Sequence, residues 1–363
     1  MNIQRDDKEV YRQNYYGSGR QLSVFAFLTL KTSWKRWWHS VGSFVIRRAI
    51  AMFFTLIVIS TIIFFMFRLM PGDPTAAMVD PSIPSEAREE IIARLGLNDS
   101  LWVQYTKFMQ NLAILDFGDS FYYKTSALSV LTDKLAATLV LMFAAMVVAY
   151  GLGIFGGAWM AWKRGSIGES LAITLALIFR SAPTFWVGIM AIYLFTVVLG
   201  WLPHSGMRSS GYEGEGFIET FISLDFLRHL ILPTIVAGMF FLATPLLMMR
   251  NTMLEVMGED FIEMAHAKGL KERTILYKHA ARNALLPVVT SGALFIGSAI
   301  GGQVLIEYVF SWPGLGREMV LAAQRHDYPV AQASFIIMAA LIMIMNLIAD
   351  LLYAYLDPRI SYK

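Results

Sequence analysis

The chain has 363 residues, of which 56% are hydrophobic and 16% are charged, and it contains no cysteine. Soluble domains carry about 25% charged residues, so this composition favours a membrane protein. The lack of cysteine excludes disulfides and thiolate metal sites, and the net charge of +3 gives no indication of a nucleic-acid partner.

Six apolar runs predict an all-α membrane protein with six transmembrane helices. About twenty apolar residues cross a bilayer as a helix, and a helix satisfies its own backbone groups in lipid. The first run has no small-residue cleavage site, so we expect it to be retained rather than removed as a signal peptide. The predicted spans are Ala49–Met70, Ala136–Ala161, Ser170–Leu199, Leu230–Met249, Leu285–Phe310 and Ala331–Leu356.

The N-terminal region, residues 1–46, precedes the first span and is predicted to be a cytoplasmic extension. Its segment 21–46 mixes aromatic residues with lysine and arginine, which is typical of a helix that lies in the membrane interface. An ordinary juxtamembrane anchor is the alternative. We expect residues 47–357 to form the membrane domain and residues 358–363 to form a short tail.

Basic residues predict the orientation of the spans. They are concentrated in the N-terminal region, at Lys163-Arg164 and in the loop 250–284, whereas the loop 71–134 is rich in acidic residues. Cytoplasmic loops carry an excess of lysine and arginine. We therefore expect both termini and the loop 250–284 to be cytoplasmic, and the loop 71–134, with its short helices, to face the outside.

Glycines in the second span match a nucleotide-binding pattern by spacing only. The pattern Gly151-x-Gly153-x-x-Gly156 lies inside a charge-free span and not after a soluble strand, so it predicts close helix packing. The chain has no phosphate-binding P-loop, no histidine spacing typical of a metal site and no nucleophile elbow. We therefore predict no catalytic site, no metal site and no enzyme activity.

Polar residues within the spans are candidates for a transport pathway, because charges in a membrane are costly and usually face a cavity or a partner. Arg180 is predicted either to attract a carboxylate in the pathway or to pair with an acidic residue, which would be Asp350 or one on a partner subunit. Asn346 and Asp350 share a helical face and either line the cavity or hold helices together. Prolines inside the spans predict bent helices, and they lie at Pro183, Pro233, Pro245 and Pro287.

The loop that follows the fourth span is polar and helix-prone. Three small residues, Ala265, Ala267 and Gly269, predict a flat helix surface that another protein can approach closely. Glu263 and Lys268 are placed to fix the register of that contact by charge pairing, and Gly269 is predicted to end the helix. The alternative is a solvated connecting helix with a glycine cap.

This loop resembles the EAA signature of permease subunits in bacterial ABC importers, in the pattern Glu263-x-Ala265-x-x-x-Gly269. Its continuation, His279-x-x-Arg282-Asn283-Ala284-x-Leu286-Pro287, resembles more closely the dipeptide/oligopeptide/nickel permease family. Met264 and His266 depart from the family pattern, which commonly has alanine and arginine there. Further matches lie at Pro71-Gly72-Asp73-Pro74, Asp116-Phe117-Gly118-Asp119-Ser120, Glu307-x-x-Phe310-x-x-Pro313-Gly314, Asp327-Tyr328-Pro329 and Asp357-Pro358-Arg359.

The resemblance implies a type I ABC importer permease fold in a bacterial cytoplasmic (inner) membrane. It implies four partners besides membrane lipid: a second, paralogous permease, two cytoplasmic subunits that bind ATP and Mg, and an extracytoplasmic solute-binding protein. It implies no cofactor in this chain. Separately, the position of Glu307 near the outer end of the fifth span leads us to expect that it braces the following Pro313-Gly314 turn. The residues that the resemblance assigns to ATPase coupling are Glu263, Ala265, Ala267, Lys268, Gly269 and Leu270.

Short peptides are the cargo that the resemblance implies, with nickel chelates, opines and sugars as alternatives within the family. Two other classes of protein remain as rivals. A secondary transporter would need its own ion-coupling site, often in an inverted repeat with broken helices, and the sequence shows no such repeat. A channel or a structural membrane subunit would lack a loop that binds a motor protein.

Overall fold

The computed structural model describes residues 21–69, 98–209, 211, 217–301 and 304–356, and every regular element within these ranges is a helix. The chain divides into two units. One comprises Met1–Phe53 with Pro358–Lys363, and the other comprises Phe54–Asp357. The packed helices of the membrane domain lie in the second unit.

The first half of the chain begins with an unbroken 49-residue helix. Helix α1 therefore continues from the predicted interfacial segment into the predicted first span, and the interfacial placement of residues 21–46 stays a prediction. The bounds are α1 Gln21–Leu69, α2 Leu101–Ala113, α3 Ala127–Trp162, α4 Ile167–Ser181 and α5 Thr184–Ile192, which continues as a π-helix over Tyr193–Val198.

The second half contains two long helices separated by shorter ones. Its elements are α6 Phe217–Ile222, α7 Leu224–Val256, α8 Asp260–Ala267, α9 Glu272–Thr274, a π-helix over Ile275–Ala280, α10 Ala281–Gly301, α11 Val304–Val309, α12 Leu315–Gln324 and α13 Tyr328–Leu356. The end of the bundle that carries α8 is predicted to be cytoplasmic and is called the inner end. The opposite end, which carries α2 and α12, is called the outer end.

Four helices in the described ranges are long and apolar enough to cross a membrane, and α4 with α5 forms a fifth, bent candidate. The prediction of exactly six spans is therefore not confirmed. The fifth predicted span, Leu285–Phe310, is divided between α10 and α11, with residues 302–303 outside the described ranges. The four unbroken candidates are Gly42–Leu69, Ala127–Trp162, Leu224–Val256 and Tyr328–Leu352.

The third predicted span is not one straight helix. Helices α4 and α5 meet at an angle of 104°, with Ala182 in an extended conformation and Pro183 at the start of α5. A proline disfavours helical geometry in the residue before it, which explains a break here. Pro233 and Pro245, by contrast, lie inside α7, and Pro287 lies inside α10, so these helices continue through their prolines.

Helices α3 and α7 approach closely through glycine. A Cβ atom added to Gly153 would lie 2.8 Å from Cβ of Pro245, and one added to Gly157 would lie 2.7 Å from Cβ of Met249. Gly151 faces open space. The glycine pattern in the second span therefore serves close helix packing, as predicted, although Gly151 takes no part in it.

The outer end is held by aromatic side chains. Trp312 is fully buried, and its indole N–H donates to the carbonyl of Ala137 on α3 at 2.9 Å. Helix α2 packs on α1, where the hydroxyls of Tyr105 and Thr61 lie 2.8 Å apart. Helix α2 is thus one of the short helices expected in the loop 71–134. The motif Pro71-Gly72-Asp73 lies outside the described residues.

Candidate coupling site

Helix α8 ends in a glycine turn on the inner end. Gly269 has a φ of +71°, and its N–H donates to the carbonyl of His266 at 2.9 Å. The N–H of Leu270 donates to the carbonyl of Ala265 at 3.3 Å. This pair of bonds is the Schellman motif, in which glycine takes the left-handed position without a steric cost. The predicted end of the helix at Gly269 is confirmed.

One face of α8 packs against the bundle. Ile262 is 2% exposed and Ala265 is 5% exposed, and both belong to a buried group called the inner cluster. Its other members are Ala158, Ala161, Met249, Met253, Ile275, Leu276, Ala280, Ala281, Ala284 and Val288. The expectation that Ala265 contributes to an outward-facing surface is wrong. Its small side chain faces inward, on the same stripe as Ile262.

The opposite face of α8 is exposed, and it is called the coupling face. Met264 is 58% exposed despite its apolar side chain. The side chains on this face combine two charges of opposite sign with small and apolar groups, which suits a protein contact better than a purely solvated helix. Its members are Glu263, Met264, Ala267, Lys268, Gly269 and Leu270.

The segment after α8 fastens it to the next long helix. Ile275, Leu276 and Ala280 of the π-helix are buried in the inner cluster, and the hydroxyl of Thr252 on α7 donates to the carbonyl of Ala284 at 3.1 Å. The chain on the two sides of α8 is thus attached to the ends of two long helices, α7 and α10.

The family residues that follow α8 lie at the same end of the bundle. The amide of Asn283 donates to the carbonyl of His279 at 3.0 Å. The side chains of Arg282, Asn283 and Pro287 are exposed. The sequence analysis treated these residues as a continuation of the family motif and assigned them no ATPase contact, and the structure places them beside the inner cluster.

Two sequence motifs meet at the outer end. The carboxylate of Asp327 is buried and accepts hydrogen bonds from the Ser120 hydroxyl, from the Phe121 N–H at 3.1 Å and from the Tyr122 N–H at 3.2 Å. The loop before α3 is therefore fixed to the turn before α13. Sequence reasoning noted both motifs and did not predict that they touch.

A second buried carboxylate, Glu307, fixes the start of α12. It accepts from the Thr138 hydroxyl at 2.7 Å and from the Arg317 N–H at 3.0 Å. A Cβ atom on Gly314 would collide with this carboxylate, so a larger residue in the turn would displace the Glu307 side chain. Glu307 thus lies against the Pro313-Gly314 turn that it was expected to brace.

A third carboxylate, Glu318, lies beside an aromatic pair on the same surface. The Tyr123 hydroxyl donates to its two oxygens at 3.1 Å, and the Arg325 guanidinium stacks 3.9 Å from the centre of the Tyr122 ring. Burial raises the pKa of the Tyr123 phenol, although its hydrogen bond from Arg325 acts in the opposite direction. Tyr123 therefore remains a protonated donor at neutral pH.

Arg180 lines a cavity of about 450 Å³ between α4 and α7. Its side chain is exposed, and its guanidinium lies 4.6 Å from the centre of the Phe240 ring. The alternative ion pair with Asp350 is not formed, and Arg180 has no salt bridge among the described residues. The other lining residues are Leu177, Ala243, Thr244, Leu247, Met248, Asn251 and Thr252.

Asn346 and Asp350 lie on α13, apart from the cavity that contains Arg180. The half-buried Asn346 packs against Gly297 of α10, at the position that a Cβ atom of Gly297 would take. This contact favours the role of holding helices together. The structure therefore separates the four pathway candidates: Arg180 and Pro183 flank the bend, whereas Asn346 and Asp350 belong to another helix pair.

Comparison with known proteins gives the same answer as these motifs. The model of the binding-protein-dependent transport system inner membrane component family matches residues 153–362, and the model of the N-terminal part of such components matches residues 41–142. The chain belongs to this family. It is a permease subunit of an ABC importer and a multi-pass protein of the inner membrane. It is not an enzyme, because in these importers separate ATPase subunits hydrolyse ATP.

Relatives match this permease over nearly their whole length. A di/tripeptide transport system permease protein of Pseudomonas aeruginosa is 39% identical over 88% of this chain and 99% of its own. An oligopeptide transport system permease protein of Bacillus subtilis is 39% identical over 89% and 100%. A dipeptide transport system permease protein of Escherichia coli K12 is 38% identical over 88% and 99%.

Among solved structures, a chain of the methionine ABC transporter MetNI in an inward-facing form has a TM-score of 0.47 and 18% identity to this permease. The match covers 63% of this chain and 97% of that chain.

Within the described residues of the permease, no group of three or more His, Asp or Glu side chains is arranged to hold a metal ion.

One contact between polar residues at the inner end was not predicted from the sequence. Glu169 at the start of α4 is buried and forms an ion pair with the partly exposed Arg250 of α7. The available signal was the pattern Ser166-x-x-Glu169 before an apolar run, which is a helix capping box. Arg250 was interpreted only as one of the basic residues that flank a span, because its partner is distant in sequence.

Proposed function

We propose that this permease forms half of the transmembrane pore of an ATP-driven importer of short peptides. The other half would be a second, paralogous permease, and two cytoplasmic subunits that bind ATP and Mg would drive the pore. An extracytoplasmic solute-binding protein would deliver the cargo. The observation that carries the proposal is the exposed coupling face of α8, on a helix whose other face is built into the bundle.

The coupling face suits a cleft in an ATP-binding subunit. Met264 and Leu270 offer apolar contact area, and the small side chain of Ala267 lets a partner backbone come close. Glu263 and Lys268 would set the register by charge pairing, which contributes more to specificity than to affinity. The Schellman turn at Gly269 keeps this end of the helix free of a bulky side chain.

Force on α8 would reach the pore through the inner cluster. Ile262 and Ala265 belong to the same buried cluster as residues of α7, the π-helix and α10, so closure of the ATP-binding subunits would pull these helices together with α8. Packed interiors transmit such displacements because they have few voids. The pore would then alternate between inward-facing and outward-facing states.

Peptide cargo is supported by the names of the relatives, which are di/tripeptide, dipeptide and oligopeptide permeases. Arg180 in the cavity between α4 and α7 would attract the carboxylate of a peptide during passage. Nickel chelates, opines and sugars remain cargo alternatives.

The membrane domain 47–357 would have both termini in the cytoplasm, and its outer loop 71–134 would help to dock the solute-binding protein.

A charged side chain introduced at the glycine turn tests the coupling role. In Gly269→Glu, a bulky anion replaces glycine at a left-handed position, which costs about 1–2 kcal/mol locally and obstructs the coupling face. We expect the ATP-binding subunits to be lost when the complex is purified from detergent. Gly200→Glu is the matched control, because Gly200 also has a positive φ (+63°) and faces open space, but lies at the outer end.

Full recovery of the ATP-binding subunits and normal uptake in Gly269→Glu would contradict the proposal. Uptake driven by an ion gradient without ATP-binding subunits would instead identify a secondary transporter. Binding of labelled peptides by the recovered solute-binding protein would identify the cargo class.

A further inference from the structure

A partly buried ion pair links two parts of the inner end. The guanidinium of Arg250 on α7 contacts one carboxylate oxygen of Glu169 twice, with Nη2 at 2.6 Å and Nε at 2.7 Å. The Glu169 side chain is 6% exposed and the Arg250 side chain 25%. Removal of water from such a pair makes each charge dependent on the other.

Helix capping accounts for only part of this arrangement. The second oxygen of Glu169 accepts from the Gly165 N–H at 2.6 Å, and the Ser166 hydroxyl accepts from the Glu169 N–H at 3.2 Å. These bonds stabilise the start of α4. They do not require Arg250, which reaches Glu169 from a separate long helix.

Arg250 occupies a position from which it can relay movement. It precedes the short connection Met257–Glu259 that leads from α7 to α8. Its backbone lies against Gly157, since a Cβ atom on Gly157 would be 3.0 Å from the Arg250 N atom. Its Nη1 also donates to Asn251 at 3.0 Å, and Asn251 lines the cavity that contains Arg180.

We propose that Glu169 and Arg250 are positioning residues that transmit the displacement of α8 to α4, the first arm of the bent helix pair. This inference rests on the proposed function, because it assumes that α8 is the part that the ATP-binding subunits move. When α8 draws the inner end of α7 with it, the ion pair makes α4 and the loop 163–166 follow. The cavity wall that carries Arg180 therefore shifts together with α7.

The test uses the complete importer in proteoliposomes, with peptide uptake and ATP hydrolysis measured in the same preparation. Glu169→Gln keeps an oxygen that can accept from Gly165 and removes the charge that holds Arg250. We expect the ATP-binding subunits to co-purify and to hydrolyse ATP, while peptide uptake per ATP falls about fivefold or more, the usual range of a coupling energy. Arg250→Lys keeps the charge without the two-pronged contact and should give a smaller fall.

Glu255→Gln is the control, because Glu255 lies on the same end of α7 and is exposed. It should leave uptake per ATP unchanged. If the wild-type complex couples normally and Glu169→Gln shows the same peptide uptake per ATP, this inference is overturned and the proposed function stays intact. If Glu169→Gln does not assemble, Arg250→Lys decides: a lowered ratio supports the inference and a wild-type ratio overturns it. Absence of ATP-binding subunits from the wild-type complex overturns both proposals.

Discussion

Asp327 shows how much of the outer surface depends on single buried carboxylates. Its two oxygens satisfy a hydroxyl and two backbone N–H groups of the loop before α3. Buried donors of this kind are costly when they lose their acceptor. One side chain therefore orders a loop that comes from a distant part of the sequence.

In Asp327→Asn, the amide N–H₂ group would face one of the two backbone N–H donors in either orientation, because Phe121 and Tyr122 donate to different oxygens. We expect a loss of about 1–3 kcal/mol of local stability, which would appear as faster amide hydrogen exchange in residues 120–123. Asp119→Asn is the control, since Asp119 is exposed and its change should leave the exchange unaltered. Equal protection in both variants would contradict the assigned role of Asp327.

Individual residues also mark the limit of what the sequence could predict. The turn at Gly269 and the contact between Glu307 and the Pro313-Gly314 turn follow from local chemistry, and the structure has both. The inward direction of Ala265 and the partner of Glu169 depend on which side of a helix meets the bundle. That choice is made by tertiary packing, which no local pattern contains.

At the scale of elements, α3 and α7 form the tightest part of the bundle. Gly153 and Gly157 allow the backbone of α7 to approach α3 within contact distance. In a membrane, where apolar surface gives no net drive for association, such packing contacts supply much of the attraction between helices. The glycines therefore stabilise the helix pair by allowing contact and not by flexibility.

In Gly157→Ala, the added methyl group would overlap Leu246 and Met249. Overpacking of this kind costs about 1–3 kcal/mol, so we expect a lower thermal unfolding temperature in detergent. Gly151→Ala lies on the same helix in open space and serves as the control, with an unchanged or slightly higher unfolding temperature. Equal unfolding temperatures for the two variants would contradict close packing at Gly157.

Hydrophobicity predicted the long helices because bilayer thickness fixes their length. It did not predict that the third span is broken, since Pro183 was expected only to bend it and the flanking residues are apolar on both sides. Pro233 and Pro245 have the same local chemistry and lie in a continuous helix. The presence of a proline alone therefore does not decide between a break and a continuous helix.

At the scale of the whole molecule, the chain is a membrane bundle whose inner end carries a small, partly exposed helix. Family membership follows from motifs spread along the sequence, and the structure shows that several of them touch: the Asp116–Ser120 segment meets Asp327, and Glu307 meets Gly314. The coupling motif, by contrast, combines a buried face, which carries Ala265, with an exposed face that carries Met264 and Lys268. This asymmetry is the physical basis for assigning the motor contact to α8.

Thiol labelling of the coupling face tests that assignment most directly, because the natural chain has no cysteine. A single cysteine introduced as Lys268→Cys should react with a membrane-impermeant maleimide only from the cytoplasmic side. Bound ATP-binding subunits should slow the reaction, because contacts within an interface exclude water. Asp119→Cys should react from the outside at the same rate with or without those subunits. Labelling of Lys268→Cys from the outside, or at a rate that the subunits do not change, would contradict the account.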